Sequence, residues 1–552
     1  MMYKTTRNIF VYISSVFLAF YQSPVSGTGL ILDLDYGLDS ASAFYDSALK
    51  TVSAIDMDSV SATASVFLDT ALDLKWTVRP RISLEQMYSD NIRLTGINEK
   101  SALVTEISPG VSIISNSSRG NLDLNYNLQG IYNAHGDSGV DIYNQLQMDA
   151  DYEFVRNSFF VESKASISQQ NSSNRRIVSD NISGSDASST ISTFSLSPYW
   201  TPHFKGYADG EFRLTYDRVS SEGGNSSLST TNSWSQDVIL TSGRDFIPFN
   251  WSFSFNNSNR SNGSGQDVNF QDTQLEVSYA VTRKYSVFAR LGQSNNSFSS
   301  NSNSNQNGVF YTFGGQWKPS QHFRIEAGYG NNRFVTVEIS PFKRLHWITT
   351  YSNNSIGLNT GDKWDTELNY RTRRSIWKLS YTEDTTTTQQ TLLEEQIFKT
   401  ENAFGSQTRN PYIDGRDLSL TSLTDEVFIS KTAEASVSFR TGKSFISAEV
   451  FRINRIFEES GNREKVKGLS ASWNWQFSRR SSSNLRAGWQ KTESDGINAF
   501  SDDRVYFSAS ITRDISRHLY GSIGYQYVDQ NSDDNLNSFL ENRITANLSL
   551  QF

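Results

Sequence analysis

The chain has no cysteine among its 552 residues. That absence excludes disulfides, a thiolate metal site and a lipoprotein anchor, so an exported form must be held by its fold alone. Its five histidines, His135, His203, His322, His346 and His518, are scattered and form no spaced zinc cluster. There is no glycine-rich phosphate loop. After the first twenty residues no apolar run is long enough for a membrane helix. Apolar residues reach only 37% and mean hydropathy is −0.49, which argues against several ordinary soluble cores. What is plentiful is aromatic residues, at 13%, together with Asn, Ser, Thr and Gln. That mixture suits half-buried strands joined by polar loops. A transmembrane barrel needs only every second residue to be apolar, so averages hide it.

The N-terminus reads as a secretory signal. Lys4 and Arg7 precede the apolar stretch Ile9 to Phe20, and "VSG" offers small residues for cleavage after Gly27. Removing residues 1–27 takes away two positive charges, so the net charge goes from −8 to −8 − 2 = −10. That balance argues against a nucleic-acid partner. Residues 28–72 are acidic and rich in Ala and Ser, with no strand alternation. They are too few for the plug domain of a TonB-dependent transporter.

From residue 73 onward the pattern has a period of two. In "KWTVRPRISL", Trp76, Val78, Pro80, Ile82 and Leu84 share one face. In "NLDLNYNLQ", "QLQMDADYEF" and "LSASWNWQF" apolar and polar residues alternate in the same way. The connections are of two kinds. Some are short and often basic, such as "VRNS", "RTRRS" and "SRRSS"; others are long and rich in Asn and Ser. About eleven short turns give roughly 24 strands, or 22 if "FVTVEIS" is too short to span. The fold class expected is therefore all-β: a large antiparallel transmembrane β-barrel of 22–26 strands, with short periplasmic turns and long extracellular loops. A propeller is disfavoured because no blade repeat appears, and Tyr, Trp and Phe gather near strand ends as membrane girdles require.

In such a barrel the outer face meets lipid and the inner face meets water. The alternation puts Arg79, Arg81, Glu85, Glu106, Asp123, Asp149, Asp151, Asp209, Glu211, Arg213, Arg290, Arg324, Glu326, Arg486 and Arg543 on the inner face. These residues would form either a hydrated wall of mutually neutralising ions or a conduit that holds a polar polymer weakly. With strands ~4.8 Å apart and tilted ~40°, the diameter would be roughly 45–50 Å, so something must occlude the hole. The candidates are segment 28–72 and the long loop 385–426, which carries the helical pattern Leu392, Leu393, Ile397 and Phe398. An outer-membrane hydrolase would need a His–Asp or His–Ser pair at the rim, and "HGD" at 135–137 is the one candidate. The bland reading, a polar loop, fits it better. The chain is expected to be non-enzymatic and to need no cofactor or metal.

Several stretches go beyond barrel texture: "WTVRPRISLEQMYSDNIRLT" (76–95), "TEISPGVSI" (105–113), "RLHWITTYSNNSIGL" (344–358) and "NYRTRRSIWKLSYTEDTTTTQQTLL" (369–393). They resemble the outer-membrane barrel proteins associated with PEP-CTERM/exosortase systems, encoded among exopolysaccharide genes of Gram-negative bacteria. The resemblance is firmest at Tyr-Ser-Asp-Asn near residue 90, Ser-Pro-Gly near 109 and Arg-Arg-x-x-Trp near 377. It implies a role in exopolysaccharide export or surface assembly, with polysaccharide and periplasmic export proteins as partners, and it brings no active residues with it. A general or solute-specific porin is the alternative. The C-terminal residues Ile544, Ala546, Leu548, Leu550 and Phe552 resemble the signal read by the barrel-assembly machinery, which with outer-membrane lipid completes the expected partners. The expected location is the outer membrane after signal cleavage. Intact-mass measurement of protein from membranes should give a chain starting at Thr28; retention of residues 1–27 would refute the signal reading.

Overall fold

The computed structural model describes residues 76–134, 140–171, 181–182, 188–223, 228–263, 267–300, 305–394, 424–496 and 499–552. Segments 1–27 and 28–72, residues 395–423 of the long loop, His135 and Asp137 lie outside the described residues.

Twenty-four antiparallel strands form a single sheet. Each pairs with its neighbours in sequence, and the first, Trp76–Ser89, closes on the last, Phe539–Gln551. "FVTVEIS" belongs to a full strand, Asn332–Phe342, so the count is 24 rather than 22. A separate two-residue pairing, Asn305–Gln306 with Gly357–Leu358, ties together two loops at the long-loop end.

Register turns the alternation of single strands into rows of one chemistry, because residues paired across strands share a face. Ser286, Gln316, Glu326, Thr336, Thr350 and Asp365 are successive partners on six strands. One residue along each strand, the successive partners are Val287, Gly315, Ala327, Val335, Tyr351 and Trp364. The apolar rows face outward: Ile523, Ile142 and Phe313 are 67%, 64% and 62% exposed, whereas Glu464 and Arg543 are almost fully buried. A soluble protein has the opposite polarity. Here lipid solvates the outside and water the inside. Aromatic pairs band the outer face. Trp200–Phe212 and Tyr285–Trp317 lie near the short-turn end, with ring centroids 5.5 and 6.4 Å apart. Tyr216–Trp234 and Tyr351–Trp364 lie toward the long-loop end at 4.8 and 4.9 Å.

The inner face is not polar throughout, which simple alternation did not anticipate. At the long-loop end Phe451, Ile453, Val466, Tyr506, Val528 and Phe539 face inward and cluster with Leu94, which comes from the loop after the first strand. A second cluster joins Met87, Val104 and Ile131 to Ile92 of the same loop and Ile182 of another. Burying each such side chain is worth roughly 1.5–3 kcal/mol, which draws these loops into the mouth. Room is made by glycine: a Cβ on Gly488 would stand 2.4 Å from the ring of Tyr506.

The seam runs through nine register pairs, from Arg81–Gln551 to Ser89–Arg543. Contact begins at Arg81, and residues 76–79 extend past the end of the last strand. The amide of Phe552 donates to the Pro80 carbonyl at 3.0 Å. Ile544, Ala546, Leu548, Leu550 and Phe552 share the lipid face, since their partners Tyr88, Gln86, Leu84 and Ile82 lie on it. The Tyr-Ser-Asp-Asn motif fastens the top of this seam. Ser89 donates to Glu541 at 2.7 Å, Asp90 accepts from the Asn542 amide and side chain at 2.8 Å each, and Asn91 donates to the Thr95 and Leu540 carbonyls at 2.8 and 3.0 Å. In Ser-Pro-Gly, Gly110 leaves the space through which Arg81 reaches Asn127, at 2.6 and 3.1 Å. Trp377 of Arg-Arg-x-x-Trp is half exposed on the outer face and donates to Ser375 at 3.0 Å, just past the short turn. Deleting Phe552 should lower the amount of folded, heat-modifiable barrel recovered from membranes; normal levels of that truncation would refute a role for the terminal aromatic.

Candidate functional site in the barrel lumen

The strands carry the charged residues singled out from sequence onto the inner face, and register decides which of them meet. Arg290 bonds Glu276 at 2.7 Å and lies 3.8 Å from Glu326; Arg324 bonds Glu338 at 2.7 Å and Glu326 at 3.5 Å. Arg213 bridges Glu162 and Glu211 at 2.7 and 3.1 Å, with its guanidinium 4.1 Å above the Tyr199 ring. Arg543 pairs with Glu541 at 3.1 Å, and Glu85 accepts from Asn547 at 3.0 Å. Glu106 accepts from Ser108 and Gln129 at 2.5 and 2.7 Å. Asp123 and Asp151 take side-chain amides of Asn125 and Asn121 at 2.8 and 3.1 Å. Asp149 is the register partner of Asp123 and Lys164, and Arg486 that of Ser472 and Ser508. Arg79 is exposed at the short-turn end, where Asp209 meets His203 at 2.9 Å. These residues therefore form separate small networks along the wall, not one centre.

Sequence reading missed Arg260, Glu276, Glu338, Asp217, Asp237 and Asp272. The alternation that would have placed Arg260 inward is visible in "FNWSFSFNNSNRSN". What alternation cannot supply is which inward residues become neighbours.

The long loop enters the lumen. The strand Ser375–Thr387 runs three residues into the expected loop, and the chain then forms the short helix Thr388–Glu394. Leu392 packs with Ile191, Val219 and Leu228 on the far wall. Ile191 and Val219 lie on the sixth and seventh strands of the ring, whereas the helix leaves the seventeenth, so it reaches ten places (17 − 7) around a ring of 24. Polar contacts fix it there. Gln389 donates to Asp425 at 2.7 Å and to Thr231 at 3.4 Å, Asp425 also accepts from the Ser229 amide at 3.1 Å, and Arg260 donates to Thr387. This strap was expected as a helical pattern through Leu392 and Leu393; Ile397 and Phe398 lie outside the described residues. A second cross-tie joins Ser300 to Glu458 at 2.5 Å.

Beneath the strap lies a cavity of about 1180 Å³. Its walls carry hydroxyls such as Ser195 and Thr350, amides such as Asn256 and Gln274, charged groups and the rings of Phe270, Phe310 and Phe334. Such a surface makes many weak, exchangeable hydrogen bonds to hydrated solutes.

Hydrolytic geometry is not assembled among the described residues. Ser340 Oγ and Glu338 Oε1 both face Nδ1 of His346, at 2.9 and 3.9 Å, whereas a relay needs its acid and its nucleophile on opposite ring nitrogens. Among the described residues no three metal-ligating side chains gather.

Truncating Leu392 to Ala should cost about 2–5 kcal/mol of strap docking. Combined with Gln389→Ala it should raise mean single-channel conductance in planar bilayers; unchanged conductance would mean that the strap does not limit the pore.

No protein-family model and no curated protein matches the sequence. Among solved structures the chain is similar to the siderophore receptor PirA of Pseudomonas aeruginosa, with 10% identity, a TM-score of 0.37, and 86% of this chain covering 80% of that one. It is also similar to the FrpB iron transporter of Neisseria meningitidis (F3-3 variant), at 9% identity and a TM-score of 0.43, over 86% of this chain and 81% of that one. OccK2 (OpdF) of Pseudomonas aeruginosa matches at 8% identity and a TM-score of 0.32, over 87% of this chain and 99% of that one.

Proposed function

We propose that this barrel is an outer-membrane channel serving exopolysaccharide export or surface assembly. The observation that carries the reading is the lumen wall: among the described residues it is lined by hydroxyls, amides and small ion-pair networks, and a strap crosses it. A polymer of sugars slides best along a wall of many weak polar contacts, none strong enough to trap it. The family resemblance at residues 88–91, 108–110 and 373–377 supports the same reading. In it the short turns face the periplasm, where export proteins would deliver the chain, and the barrel-assembly machinery inserts the protein through its C-terminal strand.

One observation favours the alternative, a solute-specific porin: the strap leaves a cavity of about 1180 Å³, the size of a small-molecule site rather than of a polymer duct. Deleting the gene in its native host decides between the two. Loss of secreted polymer, with polymer retained inside the cell envelope, is the outcome expected. Normal secretion together with slower uptake of small sugars would favour the porin.

A further inference from the structure

Among the described residues, the cavity under the strap holds hydrogen-bonding atoms that meet no side-chain partner. Asp237, Asn256 and Asp272 stand side by side as register partners on three successive strands, Thr231–Ser242, Phe249–Asn262 and Val268–Ala280. All three line the cavity. Among the described residues, neither carboxylate accepts a side-chain hydrogen bond or lies within ion-pair distance of a cation. Arg213, the register partner of Asp237, attracts it from beyond ion-pair distance and makes its close ion pairs with Glu162 and Glu211. Four residues beyond Asn256 on the same strand, Arg260 also lines the cavity; it is only 5% exposed, and its Nε meets no acceptor. Phe270, beside Ser258 between these groups, turns its ring to the same space.

Carboxylates only accept hydrogen bonds and a guanidinium only donates, so the row asks for a ligand that does both. A single metal ion does not fit. Asp237 and Asp272 are two strand spacings apart, roughly 10 Å, and a hard cation binds oxygen at about 2.3–2.6 Å. An anionic sugar does not fit either, because the lining carries six carboxylates against three cations. The span of roughly 10 Å from Asp237 to Asp272 across Asn256 matches one pyranose ring lying over the row and hydrogen-bonded at both ends. We infer that this row is a binding subsite for a neutral, hydroxyl-rich glycan. Sugar hydroxyls donate to Asp237 and Asp272 and accept from Asn256 and Arg260, while Phe270 packs on the C–H face of the ring. The inference rests on the export reading and names the class of polymer it handles.

The test is calorimetric titration of the full mature protein, in a sugar-free detergent, with neutral gluco-, manno- and galacto-hexasaccharides. At least one should bind saturably. Asp237→Asn with Asp272→Asn removes charged acceptors and should weaken that binding roughly tenfold or more. Asp245→Asn, in the exposed short turn Arg244–Phe246 and outside the lumen, should leave it unchanged, and heat-modifiability on gels shows that each variant is folded. Hexagalacturonate and calcium chloride should give no saturable heat. The subsite is overturned if no neutral hexasaccharide binds, if the double variant binds as the parent does, or if uronate or calcium binds instead. The two readings fail separately. A gene deletion that leaves secretion intact sinks the export role while the titration still supports the subsite; a flat titration with gene-dependent secretion sinks only the subsite.

Discussion

A sheet that crosses hydrocarbon cannot leave an edge, and the rest of this structure follows from that constraint. Each unpaired backbone amide or carbonyl in lipid costs several kcal/mol, so the first and last strands must find each other. They do so through nine pairs from Arg81–Gln551 to Ser89–Arg543. Because these strands are farthest apart in sequence, no short turn holds their register. Side chains hold it instead: Ser89 on Glu541, Asp90 on Asn542 and Asn547 on Glu85. The motifs Tyr-Ser-Asp-Asn, Ser-Pro-Gly and Arg-Arg-x-x-Trp lie at this seam, on its neighbouring strand and at a turn, where their side chains tie strands together or leave room for them to meet.

Closure also creates the inside. With 24 strands the bore is too wide for wall side chains to meet across it, so loops must do the filling. Two physical regimes share the task. At the long-loop end, apolar side chains such as Phe451, Tyr506 and Leu94 bury one another out of water. Along the wall, partly exposed ion pairs such as Arg290–Glu276 and Arg324–Glu338 each add little stability, about 0–1 kcal/mol, but hold the charges in place. The strap combines the two: Leu392 supplies the apolar anchor, and Gln389 and Arg260 supply the polar ties.

Much of this was legible in the sequence. The barrel, its two ends, its strand number to within two, and the face of the charged residues singled out all follow from a period of two and from turn length. A helical element in the long loop was legible from Leu392 and Leu393. The apolar mouth was not, because Phe451 and Tyr506 obey the same alternation as polar lumen residues and differ only in what folds over them. Nor was the row Asp237–Asn256–Asp272, since its members are far apart in the chain and come together only through register. Nor was the height of the seam, because the stagger between first and last strand is set by the shear of the whole ring.

The division has one physical cause. Sequence alone determined everything that depends on local periodicity: which residues face lipid, which face water, and where the chain turns. Those choices are made within each strand by the solvent on either side of it. Only the tertiary structure decided who stands beside whom across strands and across the bore: the height of the seam, the partners of Arg290 and Arg324, the landing of Leu392 on the far wall, and the row of Asp237, Asn256 and Asp272 beside Arg260. These are properties of a closed ring, and a ring exists only when all its strands are in place.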